Sequence, residues 1–215
     1  MIKYKRVTYK RVPSKKSKII LTDVEEDIIK LRDNKIYVTK KSRMIAEARM
    51  NDNHVFSQFL VNYYTFVVLA LSIAILIIED KDKTISLLTV IASVGLFGVS
   101  LFLSNMSYKE RALKYKESYL SLGELESKLN LLLRKNNLNS TQMIDVFEKY
   151  QQEYHNILSK TDNHDEIDYI KVKIDQSPNQ DFIIKYYKYL ITKNFYRFLF
   201  VIFPILLYIL PKLGV

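Results

Sequence analysis

Two long stretches of the chain carry neither a charged side chain nor a histidine: residues 55–78, 24 positions, and residues 84–108, 25 positions. A helix that crosses a bilayer needs about 20 apolar residues, so each stretch predicts a spanning helix. The five charged residues 79–83 predict a tight loop between them. Upstream, Thr22-Asp23-Val24-Glu25 is a capping-box pattern that opens a short helix through about Leu31. Asn34 is expected to interrupt it. A second helix starts near Thr39 or Ser42. With no Pro or Gly from Lys35 to Ile78, it runs unbroken into the first span.

Beyond the second span the pattern turns amphipathic. Tyr108, Ala112, Tyr115, Tyr119, Leu122, Leu125, Leu129 and Leu132 recur at spacings of three and four, a face built to pack on another helix. Asn136 and Asn137 end that helix. Asn139 with Gln142 caps the next, whose stripe is Met143, Ile144, Phe147, Tyr150, Tyr154 and Ile157 or Leu158. Residues 161–166 form a polar turn, and residues 167–174 fit either helix or loop. Ser177 is expected to cap a last helix with Pro178 in its first turn and Gln180 completing the box. That helix leads to 13 uncharged residues, 198–210, which are short for a span; Pro204 should kink this segment and Pro211 end it. The pattern as a whole predicts an all-α membrane protein. It comprises a basic arm (1–20), N-terminal cytoplasmic helices (21–54), a two-span transmembrane hairpin (55–108), cytoplasmic amphipathic helices (109–194) and a C-terminal membrane-embedded or interfacial helix (195–215).

Charge orients this hairpin. The chain has 33 Lys and Arg against 23 Asp and Glu. Basic residues close to spans tend to remain cytoplasmic. Lys40, Lys41, Arg43 and Arg49 precede the first span and Lys109, Arg111, Lys114 and Lys116 follow the second, whereas the loop holds only Lys81 and Lys83. Both flanks, and the N-terminus, are therefore expected in the cytoplasm. The basic start is not a secretory leader, because no apolar core follows it until after His54. Lys3, Lys5, Arg6, Lys10, Arg11, Lys15, Lys16 and Lys18 make residues 1–20 an arm without acids. Three readings are open for it: contact with anionic lipid headgroups, contact with nucleic acid, or a solvated tail.

Enzyme chemistry finds no foothold. The chain has no Cys, no phosphate-binding loop and no paired metal-ligand spacing, and His54, His155 and His164 are scattered. No catalytic residue, metal or cofactor is expected. The informative residues lie inside the spans. Ser86, Thr89, Ser93, Ser100, Ser104 and Ser107 fall within about 60° of one another on a helical wheel. The first span has its own polar stripe of Gln58, Asn62, Thr65 and Ser72. Polar side chains in a bilayer face other helices or water. These stripes therefore serve either helix packing, including bonds back to their own backbone, or the lining of a pore shared by several copies.

Residues 40–73, KKSRMIAEARMNDNHVFSQFLVNYYTFVVLALSI, resemble the opening of a SLATT domain, a family of bacterial two-span proteins. The resemblance is carried by Arg43, then Ala46-Glu47-Ala48-Arg49, then Phe56, Phe59, Asn62 and Tyr63, followed by the short loop, the second span and the long amphipathic helix. It covers about residues 35–136, and is similar in particular to the branch encoded beside reverse transcriptases. The C-terminal apolar segment departs from a bare two-span plan. The resemblance implies a homo-oligomeric effector of antiphage defence in the inner membrane. It would disrupt the membrane when triggered by a nucleotide signal or a cytosolic partner such as a nucleotidyltransferase or reverse transcriptase. A non-conducting membrane scaffold that anchors a defence enzyme or nucleic acid is the competing expectation.

Overall fold

The computed structural model describes residues 23–77, 83–135 and 139–209. The proposed caps at Thr22 and the helix end at Asn136 and Asn137 lie outside them, as do the basic arm and Pro211. Among the described residues every regular element is helical. The order is α1 (Asp23–Lys30), a π-helical segment (Leu31–Ile36), α2 (Tyr37–Ile77), α3 (Thr84–Asn105), α4 (Tyr108–Arg134), α5 (Ser140–Ser159), α6 (Glu166–Gln176) and α7 (Gln180–Ile209).

Asn34 does not break the helix. It sits in the π-helical segment, and the helix continues from Asp23 to Ile77. A π turn inserts one extra residue into the helical phase. On an unbroken α-helix Ile36 would sit about 80° from Ile28, and the insertion brings it back to within about 20°. Ile28, Leu31 and Ile36 are all buried in one core.

That core is the centre of the part outside the two apolar stretches. It joins α1 and the π segment to Leu122, Leu125, Leu129 and Leu132 of α4 and to Met143, Phe147, Tyr154 and Ile157 of α5. The amphipathic stripe of α4 is thus largely the buried face, with Tyr119 at its half-buried edge and Ser118 on it. Each buried leucine contributes about 1.5–3 kcal/mol. A smaller cluster of Ala46, Met50, Ala112 and Tyr115 zips α2 to α4 nearer the spans. Asn139 and Gln142 form the expected reciprocal cap of α5.

Residues 167–174, open to helix or loop by pattern, are helical, within α6. The expected start of the last helix changes. The last helix starts at Gln180 rather than at Pro178. Asn179, not Ser177, caps it, accepting from the Asp181 N–H at 2.9 Å. An Asn amide oxygen caps at least as well as a Ser hydroxyl, and Pro178 falls just before the cap. Pro204 lies inside α7. The helix is interrupted between α3 and α4, where Ser107 has a left-handed backbone, φ 47°.

The two apolar stretches are long enough to cross a membrane, and only 6% of each apolar window is buried by the chain itself. α2 packs on α3 in this half and on α4 and α6 in the other. α7 runs beside α2 in the same direction. Lys193 and Arg197 bind Asp52 at 2.6 and 2.9 Å, the Arg197 guanidinium lies 4.5 Å over the Phe56 ring, and the Tyr64 hydroxyl donates to the Phe200 carbonyl at 2.8 Å. α7 therefore follows the first span past the membrane border instead of turning away from it.

Candidate functional site

Two sets of residues on α2 stand out. The first lies on its N-terminal half, where two arginines anchor other helices to the same shaft. Both come from the motif that carries the family resemblance.

Arg43 is 1% exposed and among the described residues has no carboxylate partner. Its guanidinium donates to the Ser118 hydroxyl of α4 and, at 3.4 and 3.5 Å, to the carbonyls of Ile157 and Leu158 at the end of α5. Those carbonyls carry the negative end of the α5 dipole, a favourable place for a cation. The compensation is partial. Arg43 Nε and the neighbouring Ser42 hydroxyl are buried without a partner, and burial pushes the Arg43 pKa down.

Arg49, two turns closer to the span, has the opposite environment. It makes a two-pronged bond to Asp168 at 2.9 Å on each arm and reaches Asp165 at 2.7 Å. Burial alone would lower its pKa, but the hydrogen bonds and charge of Asp168, with Asp165, override that and raise it. Asp168 is fully buried and also accepts from the Asp165 N–H at 3.1 Å, so it closes the α6 N-terminus onto α2. One turn further, Asp52 holds α7, and Lys193 and Arg197 keep its carboxyl below the ordinary range despite partial burial. Glu47, the third motif residue, is half-buried and accepts from the Asn51 amide on its own helix.

Asp168 was not singled out in the sequence, and Asp165 reads there only as part of a solvated charge cluster in the polar turn, whereas it pairs with Arg49. The signal was present: two acids three residues apart at a helix start, opposite an otherwise unexplained Arg49. Ser118 was hidden because a serine on a leucine face reads as a gap in the stripe. His164 lies in the same turn, and burial together with the Arg43 charge depresses its pKa against the pull of Asp168 and Asp165.

The second set is the polar stripes of the spans. On α3, Thr89 is buried, Ser86 and Ser100 are half-buried, and Ser93 and Ser104 are exposed. Ser107 is not on that helix; it forms the break before α4. Thr89 bonds back to the Ile85 carbonyl and Ser93 to the Thr89 carbonyl, each at 2.8 Å. Thr65 and Ser72 on α2 do the same to Val61 and Val68. Gln58 and Asn62 are different. They are exposed, and among the described residues their amides have no hydrogen-bond partner. A hydroxyl can satisfy itself on its own helix. An amide carries two donors and an acceptor and here has nothing to meet them.

The architecture is thus one long helix that leaves a packed bundle, enters an apolar stretch and carries with it an amide pair unmatched among the described residues. No curated protein and no solved structure matches the chain. A family model described as SMODS and SLOG-associating 2TM effector domain family 5 matches residues 25–210. The match takes in α7 as well as the hairpin, so the C-terminal apolar segment belongs to the family plan and is no departure from it. With most of its length covered, bundle and spans alike, this chain belongs to the SLATT family of two-transmembrane effector domains.

Proposed function

We propose that the protein is an oligomeric effector of the bacterial inner membrane that breaches the membrane when triggered, as part of antiphage defence. The observation that carries this reading is the exposed amide pair on α2. Asn62 lies seven residues inside the apolar stretch, about 10 Å along the helix. A polar side chain at that depth turns to protein or water, not to lipid. Copies that associate through this face would meet the need, and a water-filled path between them would do so equally.

The trigger acts on the cytoplasmic bundle. α5 rests on Arg43, α6 on Arg49 and α7 on Asp52, all on the helix that becomes the first span. A ligand or partner that moves any of them shifts α2, provided it binds the two arrangements with different affinity. Nucleotidyltransferases, reverse transcriptases and nucleotide signals are the candidate triggers, and the hairpin has both flanks in the cytoplasm. Labelling of Asn139→Cys by an impermeant thiol reagent in intact cells would contradict that topology.

A second reading is a non-conducting scaffold. It is favoured by the hydroxyls of Thr65, Ser72, Thr89 and Ser93, which spend their protons on their own backbone. Inducible expression with a membrane-potential dye separates the two. The effector reading expects rapid depolarisation; cells that stay polarised with the protein fully inserted would leave the scaffold. Ser93→Leu with Ser100→Leu refines the result. Apolar bulk in a water path resists wetting, so depolarisation falls at unchanged protein level if these serines line it.

A further inference from the structure

Two faces of this chain remain uncovered at the same height above the apolar stretch. On α4, Leu113 and Leu120 are 51% and 52% exposed, on the side opposite the buried stripe. On α7, Ile184 and Ile191 are 64% and 69% exposed and line a shallow groove with Ile183, Tyr187, Lys188 and Thr192. Both pairs are seven residues apart, about 10.5 Å. α2 packs against α4 on one flank and against α6 on another, and α6 carries α7.

The two faces carry the same pattern with opposite charge. α4 reads Leu113, Glu117, Leu120; α7 reads Ile184, Lys188, Ile191. Each charged residue stands at the fourth place of an i, i+4, i+7 stripe, about 50° to the same side of its apolar pair. α4 runs away from the apolar stretches and α7 runs towards them. Two such helices from different copies meet antiparallel, and in that arrangement residues offset to the same side face one another. Leu113 then meets Ile191, Leu120 meets Ile184, and Glu117 meets Lys188 within about one residue of rise. On the other flank Lys116 comes over Tyr187, a cation on an aromatic face.

Height is set in both helices by the chain itself. Ala112 and Tyr115 near the start of α4 share a buried cluster with Ala46 and Met50, while Lys193 and Arg197 hold α7 to Asp52. A bilayer would keep every copy at one level, so the two stripes coincide without adjustment. We infer that the α7 stripe Ile184–Lys188–Ile191 of one copy docks on the α4 stripe Leu113–Glu117–Leu120 of the next. This inference rests on the assembly proposed above and names its cytoplasmic contact. The contact joins two different patches, so it is head-to-tail, and such contacts close into rings when the rotation allows. A ring is the arrangement that sets the spans of successive copies around one axis.

Disulfide trapping tests it in membranes with the full chain, which has no cysteine of its own. Two differently tagged versions are co-expressed, one with Leu120→Cys and one with Ile184→Cys, and oxidised with copper phenanthroline. A bridged band carrying both tags is expected, and none from either version alone. Glu117→Lys or Lys188→Glu should each abolish the band, and the two reversals together should restore it. A protein that assembles by chemical cross-linking but never bridges 120 to 184, or that bridges Leu120→Cys to itself, overturns this contact and leaves assembly standing. A protein that stays monomeric in the membrane overturns both. A band that survives either single reversal unchanged removes the Glu117–Lys188 pair from the contact.

Discussion

The packed helical bundle and the apolar hairpin solve different problems. In the bundle, Leu122, Leu125 and Leu129 are fully buried, and the cation of Arg49 finds two carboxylates. In the hairpin, only 6% of each apolar window is buried by the chain, and among the described residues two amides lack partners. A single chain therefore completes the bundle and leaves the hairpin to its surroundings. The hydrophobic effect drives burial in water, whereas in hydrocarbon apolar surface gains little by being covered and only polar groups ask for a neighbour. The packed bundle and the apolar hairpin are stabilised by separate means, with α2 as their common shaft.

The largest expected effect breaks the bundle alone. Leu122→Asp with Leu129→Asp places two charges in a dry seam, at several kcal/mol each. That rivals the whole stability of a small domain, so the bundle should unfold. A wild-type thermal melt of this variant would disprove the packing face.

The two arginines sharpen the comparison within the bundle. Asp168→Ala leaves Arg49 with Asp165 only and opens the α6 start; removing one partner of a buried pair costs about 3–5 kcal/mol, with the lower end expected because Asp165 remains. Arg43→Met removes a buried cation that has no carboxylate to strand. Replacing buried charge by apolar bulk is often neutral or stabilising, so the melting temperature should hold or rise. A drop comparable to that of Asp168→Ala would show that the α5 carbonyls and Ser118 compensate Arg43 fully.

Glycines give a smaller contrast. Gly123 lies inside α4, and an added Cβ would meet nothing within 4 Å. Gly123→Ala should stabilise the bundle by about 1 kcal/mol through helix propensity. Gly95→Ala has the same open space in α3 and should leave the bundle's melt unchanged. If Gly95→Ala moves it equally, the two halves do not unfold separately.

The mildest effect is that of pH. His164 has its pKa lowered from 6.5 by burial and by Arg43. The unfolded chain binds that proton more readily, so this contribution to stability is complete above pH 6.5 and is lost as pH falls through the folded value. Melts between pH 7.5 and 5 should show the decline, and His164→Gln should flatten it.

The sequence by itself determined the helical class, the two spans, the α5 cap and most of the buried faces of α4 and α5. These follow from periodicity and from the length of apolar runs, which a linear pattern records. The tertiary structure decided the rest. Asn34 became a π turn because Ile36 had to share a core with Ile28. Ser118 joined the leucine face because Arg43 needed an acceptor there. Arg49 found Asp165 and Asp168, 119 residues further along in the latter case, and Ser107 left the serine row by interrupting the helix between α3 and α4. Each of these depends on which groups meet across helices, and a partner's distance in space is not written in its distance along the chain.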